Sequence, residues 1–466
     1  MIRQVVCIQG MGFVGAAMAI AVANAVDENN SPYFDVIGID LANDLGTIRT
    51  NKLNQNIFPF EVTDDKLKSA LDKALSNGNF FATTNQIFYQ RADIVIVDIN
   101  LDISYKNDNY SDPYIDFSSF KKAIAAIGDN IKPDTLIVIE TTVPPGTCEK
   151  VVKPILEAKL KERKLPFDKI KIAHSYERVM PGNDYYDSIV NYWRVFSGIG
   201  KEAQDACETF LSKIINTKDY PLTKLKSTTA SETAKLLENS YRAVNIAFIE
   251  EWGRFAEEID VDLFEVINAI RMRPTHSNIR QPGFGVGGYC LTKDPLFAKM
   301  AAADLFDLTG HEFPYCTSAV EINRAMPLVT FKKIEDLIGI INGKRILVLG
   351  ISYREDVGDT RYSPAELFVN AAIKEGAIID CYDPLVSYWP ELNIEPLSHL
   401  PPFNGYDVIV LTVSHKEFKT MNFVERMAGV NVLIFDANNV LSKSQIELLE
   451  KKSCKIAFIG RNNINV

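Results

Sequence analysis

The chain has 466 residues, 47% of them apolar and 24% charged, with a formal net charge of −10. That length suggests about three domains, the composition is that of a globular protein rather than a disordered one, and the acidic balance argues against broad binding of nucleic acid or an anionic membrane, which needs a basic face. The cysteines (Cys7, Cys148, Cys207, Cys290, Cys316, Cys381 and Cys454) are odd in number and scattered, with no CxxC pair. Neither a disulfide framework nor a metal site is expected, and a reduced, cytoplasmic setting fits. The N-terminus does not read as a signal peptide, and no apolar run is long enough to span a membrane.

Val5 to Ile8 reads as a buried strand, Gly10-Met11-Gly12-Phe13-Val14-Gly15 follows at once, and Ala16 to Val26 reads as a helix. This places G-x-G-x-x-G in its strand–turn–helix context. The first glycine makes the turn, the second lets backbone N–H groups reach a pyrophosphate, and the third lets helix and strand pack closely. A second strand, Phe34 to Asp40, ends in an acid. A carboxylate there accepts both ribose hydroxyls and repels a 2′-phosphate, so the expected cofactor is NAD. The long connection from Asp27 to Tyr33 reads as a surface loop insertion.

Asp93–Val97 and Thr135–Ile139 are continuous apolar runs, as buried parallel strands are. Helical segments around 64–76, 117–128 and 148–163 separate them. Polar residues follow each strand: Asp98 and Asn100 after one, Glu140, Thr141 and Thr142 after the other. Ligands of doubly wound sheets bind beyond such strand ends. Thr141 and Thr142 are therefore either contacts to nicotinamide or substrate, or a helix cap. A short strand, Ile170–Ala173, leads to Glu177 and Arg178, which read either as a base with an anion clamp or as an ion pair on the surface.

From Thr229 to Ile259 apolar residues recur at 237, 241, 244, 248, 252, 255 and 259, the spacing of one buried helical stripe. Lys235, Asn239 and Arg242 fall on the opposite side as a hydrogen-bonding row without a matching acid. A second helix, Leu263–Arg271, precedes Arg273, His276 and Arg280, cations that suit a phosphate. Next come Gly283, Gly285, Gly287 and Gly288, then Cys290, Lys293 and Asp294. Such glycines admit close approach by another molecule or by backbone. Cys290 reads either as an inert buried thiol or as an exposed one whose charge its neighbours set.

The last third is a second α/β unit. Strands at Gly343–Gly350, Ala377–Asp383, Asp407–Leu411 and Val432–Asp436 repeat the first pattern, and Ser363 with Pro364 opens a helix. The loop after the first of these strands lacks G-x-G-x-x-G and need not bind a dinucleotide. Its Tyr353 and Arg354 suit a base and a phosphate. The expected fold is α/β: two Rossmann-like, doubly wound parallel-sheet domains joined by a long central helix and a helical middle domain, with boundaries at 1–215, 216–328 and 329–466.

Taken in order, Gly10–Gly15, Thr141-Thr142-Val143-Pro144-Pro145-Gly146-Thr147, Glu177-Arg178-Val179-Met180-Pro181-Gly182, Lys235-Leu236-Leu237-Glu238-Asn239, Gly285–Cys290 with Asp294, and Gly358–Pro364 resemble the motifs of the nucleotide-sugar 6-dehydrogenases, the UDP-glucose/GDP-mannose dehydrogenase family. The resemblance runs nearly end to end. It implies a nucleophilic Cys290, with Lys235, Asn239, Asp294, Thr142 and Glu177 as its catalytic partners. It implies NAD held by Gly10, Gly12, Phe13, Val14, Gly15, Asp40, Asn100, Thr142 and Arg361. Substrate contacts would come from Arg178, Val179, Lys235, Asn239, Arg242, Arg273, His276, Gly287, Tyr353 and Arg354, with no metal.

The Glu177–Gly182 stretch and the helix carrying Lys235, Asn239 and Arg242 resemble the branch acting on UDP-N-acetylhexosamines; the UDP-glucose branch has a second glutamate where Pro181 stands here. Other positions depart from the family pattern. Tyr176 replaces a usual proline, Tyr289 a usual histidine of the acetylhexosamine branch, Asn100-Leu101-Asp102 a usual Thr-Pro, His276 an arginine and Arg354 a lysine, while Lys293 is similar to the UDP-glucose branch. The implied reaction is a four-electron oxidation of a sugar C6 alcohol to a carboxylate with two NAD⁺, supplying surface polysaccharide precursors. A homodimer with the central helix at its interface is also implied. UDP-glucose or GDP-mannose is the alternative substrate, and a two-electron hydroxyacid dehydrogenase the more distant alternative; residues 340–440 speak against the latter.

Overall fold

The computed structural model describes residues 3–105, 113–180, 182–464 and 466; Pro181, noted above, lies outside them. The chain forms two compact units, residues 1–238 with 296–312, and residues 239–295 with 313–466.

The first unit is built on β1 (Gln4–Gln9), β2 (Phe34–Ile39), β3 (Phe80–Thr83), β4 (Ile94–Val97), the hairpin strands β5 (Ile103–Tyr105) and β6 (Pro113–Ile115), β7 (Leu136–Ile139), β8 (Lys171–His174), β9 (Val195–Gly198) and β10 (Thr223–Lys224). All but the hairpin belong to one eight-stranded sheet in the order β10-β9-β8-β7-β4-β1-β2-β3. From β3 to β8 neighbours run parallel; β9 turns back antiparallel on β8. Winding reverses between β1 and β4, where a doubly wound sheet opens a crevice. The helices are α1 (Phe13–Ala23), α2 (Asp44–Asn54), α3 (Asp65–Ser76), α4 (Ser118–Gly128), α5 (Lys153–Glu162), the short α6 (Asp187–Val190) and α7 (Lys201–Ile214). Helix α1 is buried from Gly15 to Ala23 because small side chains let it lie close to β1 and β2. It starts inside the glycine motif, three residues earlier than the sequence periodicity suggests.

Four helices follow, the first and last of them long: α8 (Thr228–Glu258), α9 (Leu263–Arg271), α10 (Asp294–Phe306) and α11 (Pro314–Ile338). Helix α11 carries Pro327 in its interior, a helix breaker by propensity, which hides it from periodicity arguments. Helix α8 overturns one expectation. Leu237, Tyr241, Phe248, Trp252, Phe255 and Ile259 are exposed and Val244 is only half-buried, whereas Lys235 is 6% and Asn239 2% exposed. The regular apolar stripe faces outward, and two of the three polar residues opposite it face inward.

In the second unit β11 (Arg345–Leu349), β12 (Ile378–Tyr382), β13 (Val408–Leu411), β14 (Leu433–Asp436) and β15 (Lys455–Phe458) form a parallel sheet in the order β12-β11-β13-β14-β15. Side chains alternate across β11: Ile346 and Val348 pack with Phe368 and Val369 of α12 (Pro364–Lys374), while Leu347 and Leu349 join a second core. That core holds Phe418 of α13 (Lys416–Lys419), Phe423 of α14 (Phe423–Arg426) and Leu449 of α15 (Lys443–Lys451). A strand buried on both faces needs this uninterrupted apolar run.

Candidate active site

The Gly10–Gly15 turn stands at the reversal point of the first sheet. Gly10 has φ +94°, and a Cβ on Gly15 would lie 1.9 Å from the Gly10 carbonyl oxygen, so the third glycine is what lets α1 begin here. A Cβ on Gly12 would meet nothing within 4 Å. Gly12 also caps α1 without a side-chain hydrogen bond, which leaves the N–H groups of Val14 and Gly15 without intrahelical partners. An open space fronted by those donors fits a pyrophosphate.

Asp40 follows β2. Its Oδ1 accepts from the Leu41 N–H at 2.8 Å, while Oδ2 is buried without a hydrogen-bond donor, with the Arg49 guanidinium 3.5 Å away. An orphaned buried acceptor is what a ribose diol satisfies. Asn100 is exposed after β4. Asp98 turns inward beside Glu140, and burial, reinforced by Glu140, pushes its carboxyl well above the usual range. Arg194 donates to Glu140. These strand-end acids belong to the interior.

The two threonines after β7 separate cleanly. Thr141 Oγ1 donates to the carbonyls of Val97 and Ile99, at 3.1 and 2.7 Å, and so ties two strand ends together. Thr142 makes no hydrogen bond among the described residues. Their loop is anchored by Glu232 of α8, which accepts from the N–H groups of Gly146 (2.6 Å) and Cys148 (2.8 Å). Burial pushes the Glu232 carboxyl up to about 7 despite these donors. Sequence reasoning missed Glu232, since nothing along the chain links it to a loop 84 residues away.

Lys235, one turn further along α8, donates to the Glu177 carbonyl at 2.7 Å and lies 3.8 Å from its carboxylate. Glu177 in turn accepts from the Val179 N–H, and Val179 packs against the core. Arg178 pairs not with Glu177 but with Glu238, at 3.0 Å, and also donates to the Trp193 carbonyl and the Tyr176 hydroxyl. The reading of a surface pair between Glu177 and Arg178 is thereby replaced by two separate pairs, each with α8. His174, at the end of β8, bonds Ser231 at 2.7 Å, and burial pushes it down to about 3, so it stays neutral.

In the second unit Asn239 donates to Asp294 Oδ2 at 2.7 Å and Lys293 to Oδ1 at 3.0 Å, and Asp294 is fully buried. The Cys290 carbonyl accepts from the Asp294 N–H at 3.0 Å, which fixes the cysteine at the start of α10. Cys290 is exposed, whereas Cys7, Cys148, Cys207 and Cys381 are buried and Cys316 and Cys454 half-buried. Burial pushes Cys7 and Cys381 up to about 12, leaving them inert. The buried-thiol reading of Cys290 is thus set aside.

The glycines before Cys290 serve the protein's own packing. A Cβ on Gly287 would lie 2.6 Å from the Tyr362 carbonyl oxygen, and one on Gly288 2.7 Å from the Tyr353 ring. The loop after β11 therefore lies directly on the cysteine loop, with Tyr353 half-buried and Arg354 exposed. Tyr289 sits between two cations, Lys293 at 5.0 Å and Arg361 at 5.4 Å from its ring centre, and Arg361 bonds Asp359 at 2.9 Å. Arg242, Arg273 and His276 are exposed. Burial, then the guanidinium groups of Arg242 and Arg271, hold Arg280 below its ordinary value. The cluster thus joins Arg242 to Arg271 and Arg280; His276 bonds its neighbour Thr275 at 2.9 Å.

Asp383, the acid ending β12, contrasts with Asp40. Its Oδ2 accepts from the N–H groups of Ile351 and Ser352, the Ser352 hydroxyl and His415 at 2.8–3.2 Å, and its Oδ1 from Leu385. Burial pushes this carboxyl up, but His415 and the backbone donors outweigh it and hold it below its ordinary range.

Three family models cover the chain: the NAD-binding domain of the UDP-glucose/GDP-mannose dehydrogenase family over residues 4–216, its central domain over 229–325 and its UDP-binding domain over 347–443. A UDP-N-acetyl-D-mannosamine dehydrogenase of Methanocaldococcus jannaschii is 31% identical, over 98% of this chain and 96% of the relative. An NDP-N-acetyl-D-galactosaminuronic acid dehydrogenase of Ralstonia nicotianae is 26% identical, over 90% and 92%. The solved structure of a UDP-D-ManNAc dehydrogenase from Pyrococcus horikoshii superposes with a TM-score of 0.81 at 26% identity, covering 98% of this chain and 99% of that one. With the glycine turn, the unsatisfied Asp40 oxygen and the exposed Cys290 in place, the chain belongs to the UDP-glucose/GDP-mannose dehydrogenase family and is an NAD-dependent nucleotide-sugar dehydrogenase.

Proposed function

We propose that the protein oxidises the C6 hydroxyl of a UDP-N-acetylhexosamine, UDP-N-acetylmannosamine foremost, to the uronic acid. The observation that carries the reading is Cys290: an exposed thiol next to a buried Asp294 whose two oxygens are held by Asn239 and Lys293. The sugar preference rests on the relatives named above. NAD⁺, when bound, supplies the electron-pair acceptor for both oxidations, so two NADH accompany each acid formed.

The chain's own residues do the rest. Lys235, or a water held by Asp294, takes the hydroxyl proton in the first oxidation. The Cys290 thiol then adds across the resulting aldehyde: sulfur bonds to the carbon as the C=O π bond opens, and the thiol proton passes to the oxygen, giving the hydroxyl of a thiohemiacetal. Oxidation of that carbon gives a thioester. Water, oriented by Glu177 and Thr142, attacks the acyl carbon, the C–S bond breaks, and the thiol is restored. Lys235 and Asn239 stabilise the oxyanion at each tetrahedral stage. Tyr353 and Arg354 hold the base and phosphates, and Arg178, Val179, Arg242, Arg273, His276 and Gly287 complete the substrate contacts. Gly10, Gly12, Phe13, Val14, Gly15, Asp40, Asn100, Thr142 and Arg361 hold the cofactor.

A uronic acid of this kind suits surface-polysaccharide synthesis, and an odd number of scattered cysteines with no CxxC pair suits a reducing cytoplasm. We also propose a homodimer formed through the exposed apolar face of α8, since monomers rarely leave such a patch bare. The decisive experiment incubates the protein with NAD⁺ and UDP-N-acetylmannosamine, UDP-N-acetylglucosamine, UDP-glucose or GDP-mannose in turn. Two NADH per acid are expected, fastest with an acetylhexosamine, and Cys290→Ala should form no acid. One NADH per turnover with an aldehyde product, or a Cys290→Ala variant as fast as the parent, would overturn the mechanism.

A further inference from the structure

The strand β8 ends in His174, and two residues on stands Tyr176, which is 2% exposed. Two cations flank its ring: the Lys235 ammonium 5.4 Å and the Arg178 guanidinium 5.3 Å from the ring centre. Its hydroxyl accepts from Arg178 at 3.2 Å. We propose that Tyr176 is a positioning residue with two separable tasks, its ring holding the Lys235 ammonium and its hydroxyl holding Arg178. The inference rests on the reading above, in which Lys235 serves the reacting centre and Arg178 the substrate.

Lys235 is buried, and a buried ammonium needs compensation beyond one hydrogen bond. In the first unit the groups facing it are few. The Glu177 carbonyl takes one N–H and the Glu177 carboxylate stands 3.8 Å away. His174 is neutral and offers no charge to balance it. Among the described residues of this unit the remaining compensation is the face of Tyr176, 5.4 Å away, whose quadrupole favours a cation. Burial pushes the Tyr176 phenol up to about 12, so it does not itself act as a base. Arg178 has further fixed partners, Glu238 and the Trp193 carbonyl, and the hydroxyl sets the third corner of its fork. A phenylalanine at 176 would keep the first task and lose the second; a leucine or methionine would lose both.

The test compares Tyr176→Phe, Tyr176→Leu, Tyr176→Met and Lys235→Ala in the full-length protein, measuring kcat and KM against pH with saturating NAD⁺ and the nucleotide sugar that releases NADH fastest. Tyr176→Phe should keep kcat and its alkaline limb within about twofold while KM rises about three- to tenfold. Tyr176→Leu should lower kcat about tenfold or more and move the alkaline limb to lower pH, because the charged ammonium has lost its π face. Tyr176→Met provides the same comparison if the leucine variant does not fold. A packing role alone would reduce thermal stability while leaving kcat per folded molecule and the pH limb unchanged, and that result overturns the proposal. A Lys235→Ala variant that stays active would overturn the role of Lys235 instead, so the two failures are distinct.

Discussion

Glu232 shows how one side chain serves a site without touching substrate. Both carboxylate oxygens are spent on the backbone of the Thr142 loop, so the loop's position depends on a residue three places before Lys235. Burial raises its carboxyl from 4.5 to about 7. A raised acid contributes stability that is fully present below its unfolded value and is lost as pH climbs through its folded one. The contribution should therefore decay between about pH 4.5 and 7, by about 3 kcal/mol at most. Glu232→Gln removes this titration. Thermal unfolding of the two proteins from pH 4.5 to 8 should show the variant gaining on the parent across that window. A difference independent of pH would mean that burial does not shift Glu232.

At the scale of elements, α8 reverses the usual inference from a helical stripe. An apolar row at 3–4 spacing normally faces the core, yet Phe248, Trp252 and Phe255 stand exposed, with the Trp252 ring 6.3 and 6.0 Å from its two neighbours. Two residues of the polar row opposite are drawn inward because they have partners, Lys235 on Glu177 and Asn239 on Asp294. Buried polar groups are tolerated once satisfied. Periodicity reports that a face will be covered; it does not say by what. If a second copy covers it, Trp252→Arg should favour monomers, weakening dimerisation by about 2 kcal/mol or more, roughly 30-fold, as central aromatic anchors do. Sedimentation velocity with circular dichroism as a folding control measures this. A parent protein that sediments as a monomer at micromolar concentration would rule out the dimer.

Across the whole molecule, two sheets that are parallel around their reversal points share one winding scheme and differ at the acid that ends the second strand from that point. The glycine turn, the strand alternation and the acids Asp40 and Asp383 were legible in the sequence because each has a local signature. What was not legible depends on contacts distant along the chain: Glu232 on the Thr142 loop, Glu238 on Arg178, and the occupation of Asp383 by the loop after β11. That last difference carries a prediction about ligand choice. Asp40 keeps a buried oxygen without a donor, whereas Asp383 is saturated by Ile351, Ser352, His415 and Leu385. A dinucleotide ribose is therefore expected to take the acceptor of Asp40 rather than that of Asp383. Hydrogen exchange should accordingly show NAD⁺ protecting amides around 10–16 and 40–41, and UDP protecting 351–355 instead. Asp40→Ala should weaken NAD⁺ about tenfold, the loss of about 1.4 kcal/mol that one hydrogen-bonded anchor supplies, and leave UDP protection unchanged. Protection of residues 351–355 by NAD⁺ alone would show that a saturated acid does not exclude the dinucleotide.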